Sequence, residues 1–210
     1  MANDDNIRAR GGLLPVQYPF GTYQKQYYRL TTGAAAVNVF LGMPVQADAN
    51  GAVTPSFDVT GSGGVCIGSI VGFLDTEYAA LPTVMETTIA GAYLPGNTDA
   101  YVLVADDPFQ DFVIQEDTGG TVLARTNIFN NANMTYRSTS GDTTTGYSTI
   151  ELDRSSAGTG TGGLLMLKDV LPIKNSDGTT NAPGNYCKWI VRIVRHTWAP
   201  FSSGIAGTQV

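Results

Sequence analysis

VADDPFQDFVIQEDTGG, residues 104 to 120, is the stretch on which the reading of this chain turns. Five carboxylates (Asp106, Asp107, Asp111, Glu116 and Asp117) crowd into twelve positions around Phe112, Val113 and Ile114. A calcium loop needs its oxygen ligands to converge within one tight turn. If the run is a strand rising about 3.3 Å per residue, the two acidic ends lie roughly 30 Å apart and cannot share an ion. Asp-Asp-Pro opens turns, and Glu-Asp-Thr-Gly-Gly suits a hairpin turn. The stretch therefore predicts turn, strand, turn, with Phe112 and Ile114 inward and Asp111, Val113 and Gln115 outward. Paired carboxylates for glycoside hydrolysis would need help from other loops, and nothing here selects them.

The same grammar extends in both directions. VNVFLG, MPVQADANGAVTPSFDV with its Asn50-Gly51 turn signal, and VCIGSIVGFLD (65–75) read as strands. TEYAALPTVMETTIAGAYLPG suggests one short helical turn before Pro82, then a strand ending at Pro95-Gly96. AYVLVA, DFVIQE and TVLART follow, then an Asn-rich connector, NIFNNANM (127–134). After the polar TYRSTSGDTTTGYS, STIELD places Ile150 and Leu152 opposite Thr149 and Glu151. LLMLKDVLPI precedes CKWIVRIVRHTW, where Trp189, Val191 and Ile193 share one face and Lys188, Arg192 and His196 share the other.

Turn signals every 8 to 12 or so residues and the lack of any long helical pattern predict an all-β fold. The expected architecture is one or two small β-barrels or sandwiches with an extended N-terminal arm. Residues 1–30 form the arm, 31–96 an N-terminal β-subdomain, 97–200 a C-terminal one and 201–210 a flexible tail. Pro15, Pro19 and Gly21 forbid a regular helix through the arm. Its rings, Tyr18, Phe20, Tyr23, Tyr27 and Tyr28, are too many for an idle tail, so they should bury against their own domain or a neighbour.

Composition narrows the function classes. Of 210 residues, 42% are hydrophobic and only 14% charged, with Gly, Thr, Ser and Asn supplying polarity. Strands and turns suit that mixture better than helices. A net charge of −6, with no basic stripe, argues against nucleic-acid partners, which need a cationic footprint. MANDDNIRARGG has no apolar core of signal-peptide length, and no run approaches the roughly 18 apolar residues of a membrane span. A soluble protein made in a cytoplasm is expected. Cys66 and Cys187 sit in apolar runs without metal-spaced partners and read as buried thiols. The sole histidine, His196, reads as a strand-end surface residue rather than a general base. TGSGGV (60–65) and GTGTGGLL (158–165) lack the strand-then-helix context of a phosphate cradle. No catalytic set, metal site or cofactor is expected, and the chain reads as a non-enzyme.

The order of motifs in the second half resembles a known group. An Ala-Asp-Asp-Pro turn (105–108) leads to a Phe-x-Ile-Gln strand (112–115). An Asn-rich segment (127–133), a Ser-x-x-Glu-Leu-Asp strand (148–153), a Lys-x-x-Val-x-Ile strand (188–193) and a closing His-x-Trp complete the series. Over residues 100 to 198 this arrangement resembles tailed-bacteriophage head decoration, or cement, proteins. The resemblance implies a β-rich structural protein of the virion, made in the bacterial host cytoplasm. It would bind the major capsid protein of the expanded shell and stabilise it, itself as a homo-oligomer, with Tyr18, Phe20, Tyr23, Tyr27 and Tyr28 as the capsid anchor. Alternatives are a head fibre or shell subunit, although a shell subunit of the common phage fold would want a long spine helix. A carbohydrate-binding β-sandwich that stacks sugars on Trp198 or on residues 130–136 is the reading from a different class.

Overall fold

The computed structural model describes residues 11–16, 24–30, 37–48, 51–55, 65–74, 93–96, 100–158, 162–175 and 178–198. Within them run β1 (Leu14–Pro15), β2 (Gln26–Arg29), β3 (Val39–Phe40), β4 (Pro44–Ala47), β5 (Val53–Thr54), β6 (Gly68–Leu74) and β7 (Tyr93–Leu94). The second half adds β8 (Tyr101–Ala105), β9 (Asp111–Gln115), β10 (Asn131–Asp142), β11 (Tyr147–Gly158), β12 (Leu165–Val170) and β13 (Lys188–Ile193), with one 3-10 turn at Arg125–Asn127. The protein is all-β, as its alternating apolar runs predict.

Two main sheets form. One has six strands in the order β1-β9-β13-β12-β10-β11, the other five in the order β2-β8-β6-β4-β5, and β3 pairs with β7. Both sheets curl, and isolated bridges tie together strands that lie apart in each order. Leu30 bridges to Val53 beside β2 and β5, and Glu116 bridges to Leu152 beside β9 and β11. Curling of this kind hides the unpaired N–H and C=O groups that an open sheet edge would present. Gly51, of the expected turn, lies between the paired strands β4 and β5 with φ +72°, and Asp48 N–H donates to the Ala52 carbonyl at 2.9 Å.

Strands from the two sequence halves mix. β8 stands between β2 and β6, and β1 adds to the edge of β9. Leu41 bridges to Tyr147, and Cys66 to His196. One continuous apolar core results, joining Leu13, Val45 and Ile70 to Phe112, Ile150 and Trp189. Trp189 and Val191 are fully buried and Ile193 is 3% exposed, so the apolar face read from residues 187–198 does point inward. Residues 11–16, within the segment read as an arm, thread through this core. Leu13 is fully buried, and Gly12 (φ +98°) packs backbone to backbone on Gly42 (φ +77°).

Three expectations are corrected. Asp111 and Gln115 lie on the face opposite Phe112, but both are buried, because Lys168 and Arg192 fold over Asp111. The Asn-rich connector is a strand from Asn131 onward, and the polar run after it continues that strand to Asp142. β10 pairs with β11 as a long hairpin that a register shift between Tyr136 and Gly141 bends. Thr and Ser fit a pleated surface well, so polarity alone did not mark a loop. Gly141 is required there because the Phe40 ring lies directly against it. Thirdly, His196 is buried rather than superficial.

Candidate interaction surface

Of the five arm aromatics, Tyr18, Phe20 and Tyr23 lie outside the described residues. Tyr27 and Tyr28 stand on β2, and strand alternation turns them to opposite faces. Tyr27 is 56% exposed, whereas Tyr28 is half-buried against the core. The Tyr28 hydroxyl donates to Asp106 Oδ2 at 2.7 Å and accepts from Trp198 Nε1 at 3.3 Å. Burial and the Asp106 carboxylate push its pKa up to about 12. Tyr28 is thus a strut within the chain, and Tyr27 is the ring presented to solvent.

His196 fixes the other end of this network. Trp198 N–H donates to His196 Nδ1 at 3.0 Å, which requires the neutral ring protonated on Nε2. That Nε2 is enclosed without a well-formed hydrogen bond, and the ring is 1% exposed. Burial holds the imidazole pKa below its ordinary value, against the opposing pull of the Ile67 backbone, Asp106 and Asp107. The sign follows directly. An unfolded histidine gains its proton near pH 6.5 or so, while the folded ring resists until lower pH. Stability therefore falls as pH drops through that window, by at most about 1.4 kcal/mol per pH unit. The urea midpoint should decline between about pH 7 and 5.5, and His196→Asn should flatten that decline. An equal decline in both proteins would assign it elsewhere.

Two further clusters stabilise the six-stranded sheet. Asp111, 1% exposed, accepts from Lys168 Nζ at 2.7 Å and from Arg192 Nε at 2.8 Å. The Arg192 guanidinium also lies 6.0 Å from the centre of the Phe109 ring. Inside the sheet, Glu116 is fully buried and accepts from Trp189 Nε1 at 2.8 Å, Leu123 N–H at 3.1 Å and Arg154 at 3.4 Å. Desolvation raises its pKa, and these three donors pull it back toward the ionised form they hold. Arg154 in turn clamps the 118–119 backbone through Thr118 and Gly119. Glu-Asp-Thr-Gly-Gly suits a hairpin turn, so the fully buried role of Glu116 is a correction. Its partner Arg154 lies 38 positions away, beyond any local signal.

Cys66 and Cys187 are free and buried, as expected from their apolar runs. Burial pushes both thiols up to about 12. Neither should react with a thiol reagent near pH 8 while the chain is folded, and both should react in denaturant. Modification of one in the native state would show that its shell opens. Among the described residues, no group of three or more His, Cys, Asp or Glu side chains converges to hold a metal.

The exposed surface has features that the arm reading missed. Phe129 is 75% exposed at φ +72°, a conformation bulky side chains rarely adopt. Phe109 is 68% and Trp198 54% exposed. A Phe directly after Asp-Asp-Pro was a legible sign, because that turn chemistry leaves no core for the ring to enter. A scan of protein-family models and a search of curated proteins each find no match to this chain.

Proposed function

We propose that this chain is a structural virion protein that binds and stabilises the expanded capsid shell of a tailed bacteriophage. The order of motifs in the second half carries the reading. Those motifs fall on one folded unit: the turn after β8, then β9, the Arg125–Asn127 turn with the start of β10, β11 and β13. A curled, edge-protected scaffold with projecting aromatic rings suits a part whose work is contact. Mass action supplies the mechanism, since a ligand of the expanded shell that ignores its precursor stabilises the former. Repetition of weak contacts by shell symmetry then resists outward pressure. The major capsid protein is the proposed partner, a homo-oligomer the proposed state, and the capsid surface the proposed location.

Co-sedimentation with matched capsids lacking the protein, before and after expansion, tests the proposal. Saturable binding to expanded shells alone is the expected result, and binding to neither form refutes it. The aromatic anchor needs point substitutions rather than truncation, because Leu13 and Tyr28 belong to the fold. Replacing Tyr18, Phe20, Tyr23 and Tyr27 together by Ser should weaken shell binding by about tenfold or more while the protein stays folded. Undiminished binding would place the anchor elsewhere.

A further inference from the structure

Two solvent-exposed rings meet the turn between β8 and β9. Phe109 belongs to that turn, and Trp198 is tied to its first residue, Asp106, through the Tyr28 hydroxyl. Both are held in place despite their exposure. Trp198 is bonded at its backbone N–H by His196 and at its indole N–H by Tyr28. Phe109 is held by its backbone N–H on Asp107 Oδ1 at 2.8 Å and by Arg192 over its ring. Ordering rings before association removes an entropic cost of binding, and aromatic residues dominate the energy of protein interfaces.

The chain itself shows which ligand such groups take. Arg192 donates through Nε to Asp111 at 2.8 Å while its guanidinium lies over the Phe109 ring, 6.0 Å from its centre. Trp198 is tied through Tyr28 to buried Asp106, and the partly exposed Asp107 beside it brings a carboxylate near the ring. Asp106 accepts from the Tyr28 hydroxyl and Asp107 from the Phe109 N–H, and neither forms an ion pair among the described residues. Lys168 and Arg192 are both committed to Asp111. Covering the partly exposed Asp107 carboxylate is costly unless positive charge meets it, which disfavours a neutral sugar as occupant. Its sign, with the net charge of −6, disfavours nucleic acid.

We propose that Trp198, Phe109 and Asp107, braced from beneath by Asp106 and Tyr28, form a docking site for a lysine or arginine side chain presented by a protein partner. The cation seats on the Trp198 ring and pairs with Asp107, while Phe109 supplies apolar contact for the aliphatic stem. Tyr28, from the segment read as the arm, braces this site, which adds a contact selected by charge.

The full-length chain, with its indole N–H groups labelled for NMR, provides the test. Trp198 reports the site and buried Trp189 is the internal control. Tetralysine, tetraarginine, tetraglutamate and maltotetraose are the probes. Tetralysine and tetraarginine should shift the Trp198 signal saturably, leave Trp189 unmoved and weaken as salt is raised. Asp107→Asn keeps the oxygen that accepts from Phe109 and removes the charge, so it should weaken both about three- to tenfold. No response to the cationic peptides, an equal response to tetraglutamate, or undiminished affinity in Asp107→Asn would overturn the proposal. A saturable response to maltotetraose alone would replace it with the sugar-binding reading. Shell binding plays no part in this test, so failure of the virion proposal leaves it standing.

Discussion

Glu116→Ala should lower the free energy of unfolding by about 3–5 kcal/mol, the range for removing one partner of a buried charge pair. Glu116 is fully buried and serves three donors, namely Trp189 Nε1, Leu123 N–H and Arg154. Its removal orphans the first two outright, at about 1–3 kcal/mol each. Arg154 keeps Thr118, Gly119 and Asn185 as acceptors, which limits its share of the loss. Glu116→Gln keeps the volume but points N–H groups at donors, so an intermediate loss is expected. Asp169→Ala is the control. Its ion pair with Arg125 is exposed on both sides, 64% and 54%, and such pairs contribute about 0–1 kcal/mol. Urea unfolding followed by far-ultraviolet circular dichroism measures all three. A loss below about 1 kcal/mol for Glu116→Ala would show that this network does not hold the sheet.

Gly68→Ala is the second large effect, and its cause is steric. A Cβ on Gly68 would overlap the Ala105 carbonyl oxygen and lie 2.8 Å from the carbonyl carbon and 3.0 Å from Val104 Cγ1. Those atoms belong to β8, which pairs with β6 in the middle of the five-stranded sheet. Backbone in a paired strand cannot swing aside as a flexible side chain can. Overpacking costs about 1–3 kcal/mol even where side chains adjust, so the upper end is expected, with a lower melting temperature and broader transition. Gly162→Ala meets nothing within 4 Å, and should be neutral or stabilising by about 0.4–1 kcal/mol. If the two variants melt alike, the close approach of β6 to β8 is not obligatory.

The opening stretch shows how far local reading reached. Phe112 and Ile114 point inward because strand alternation and an apolar core leave no other place for them. Trp189, Val191 and Ile193 follow the same logic, as do the two buried cysteines. These outcomes depend on a period of two and on burial of apolar area, and both are written into neighbouring residues. Asp111, Glu116 and His196 carried no such local mark. A lone carboxylate between a strand and Asp-Thr-Gly-Gly looks like turn chemistry whether or not a tryptophan indole and a guanidinium await it.

Sequence by itself therefore determined the all-β class, the turn at Gly51 and the inward apolar faces of β9 and β13, because nearest-neighbour sterics and hydrophobic periodicity suffice for them. Tertiary structure alone decided which polar groups were buried. Lys168 and Arg192 close over Asp111 from two other strands, Arg154 reaches Glu116 from β11, and Trp198 joins Tyr28 across 170 positions. Long-range pairing chose these partners, and a buried charge or hydroxyl is tolerable only where such a partner arrives.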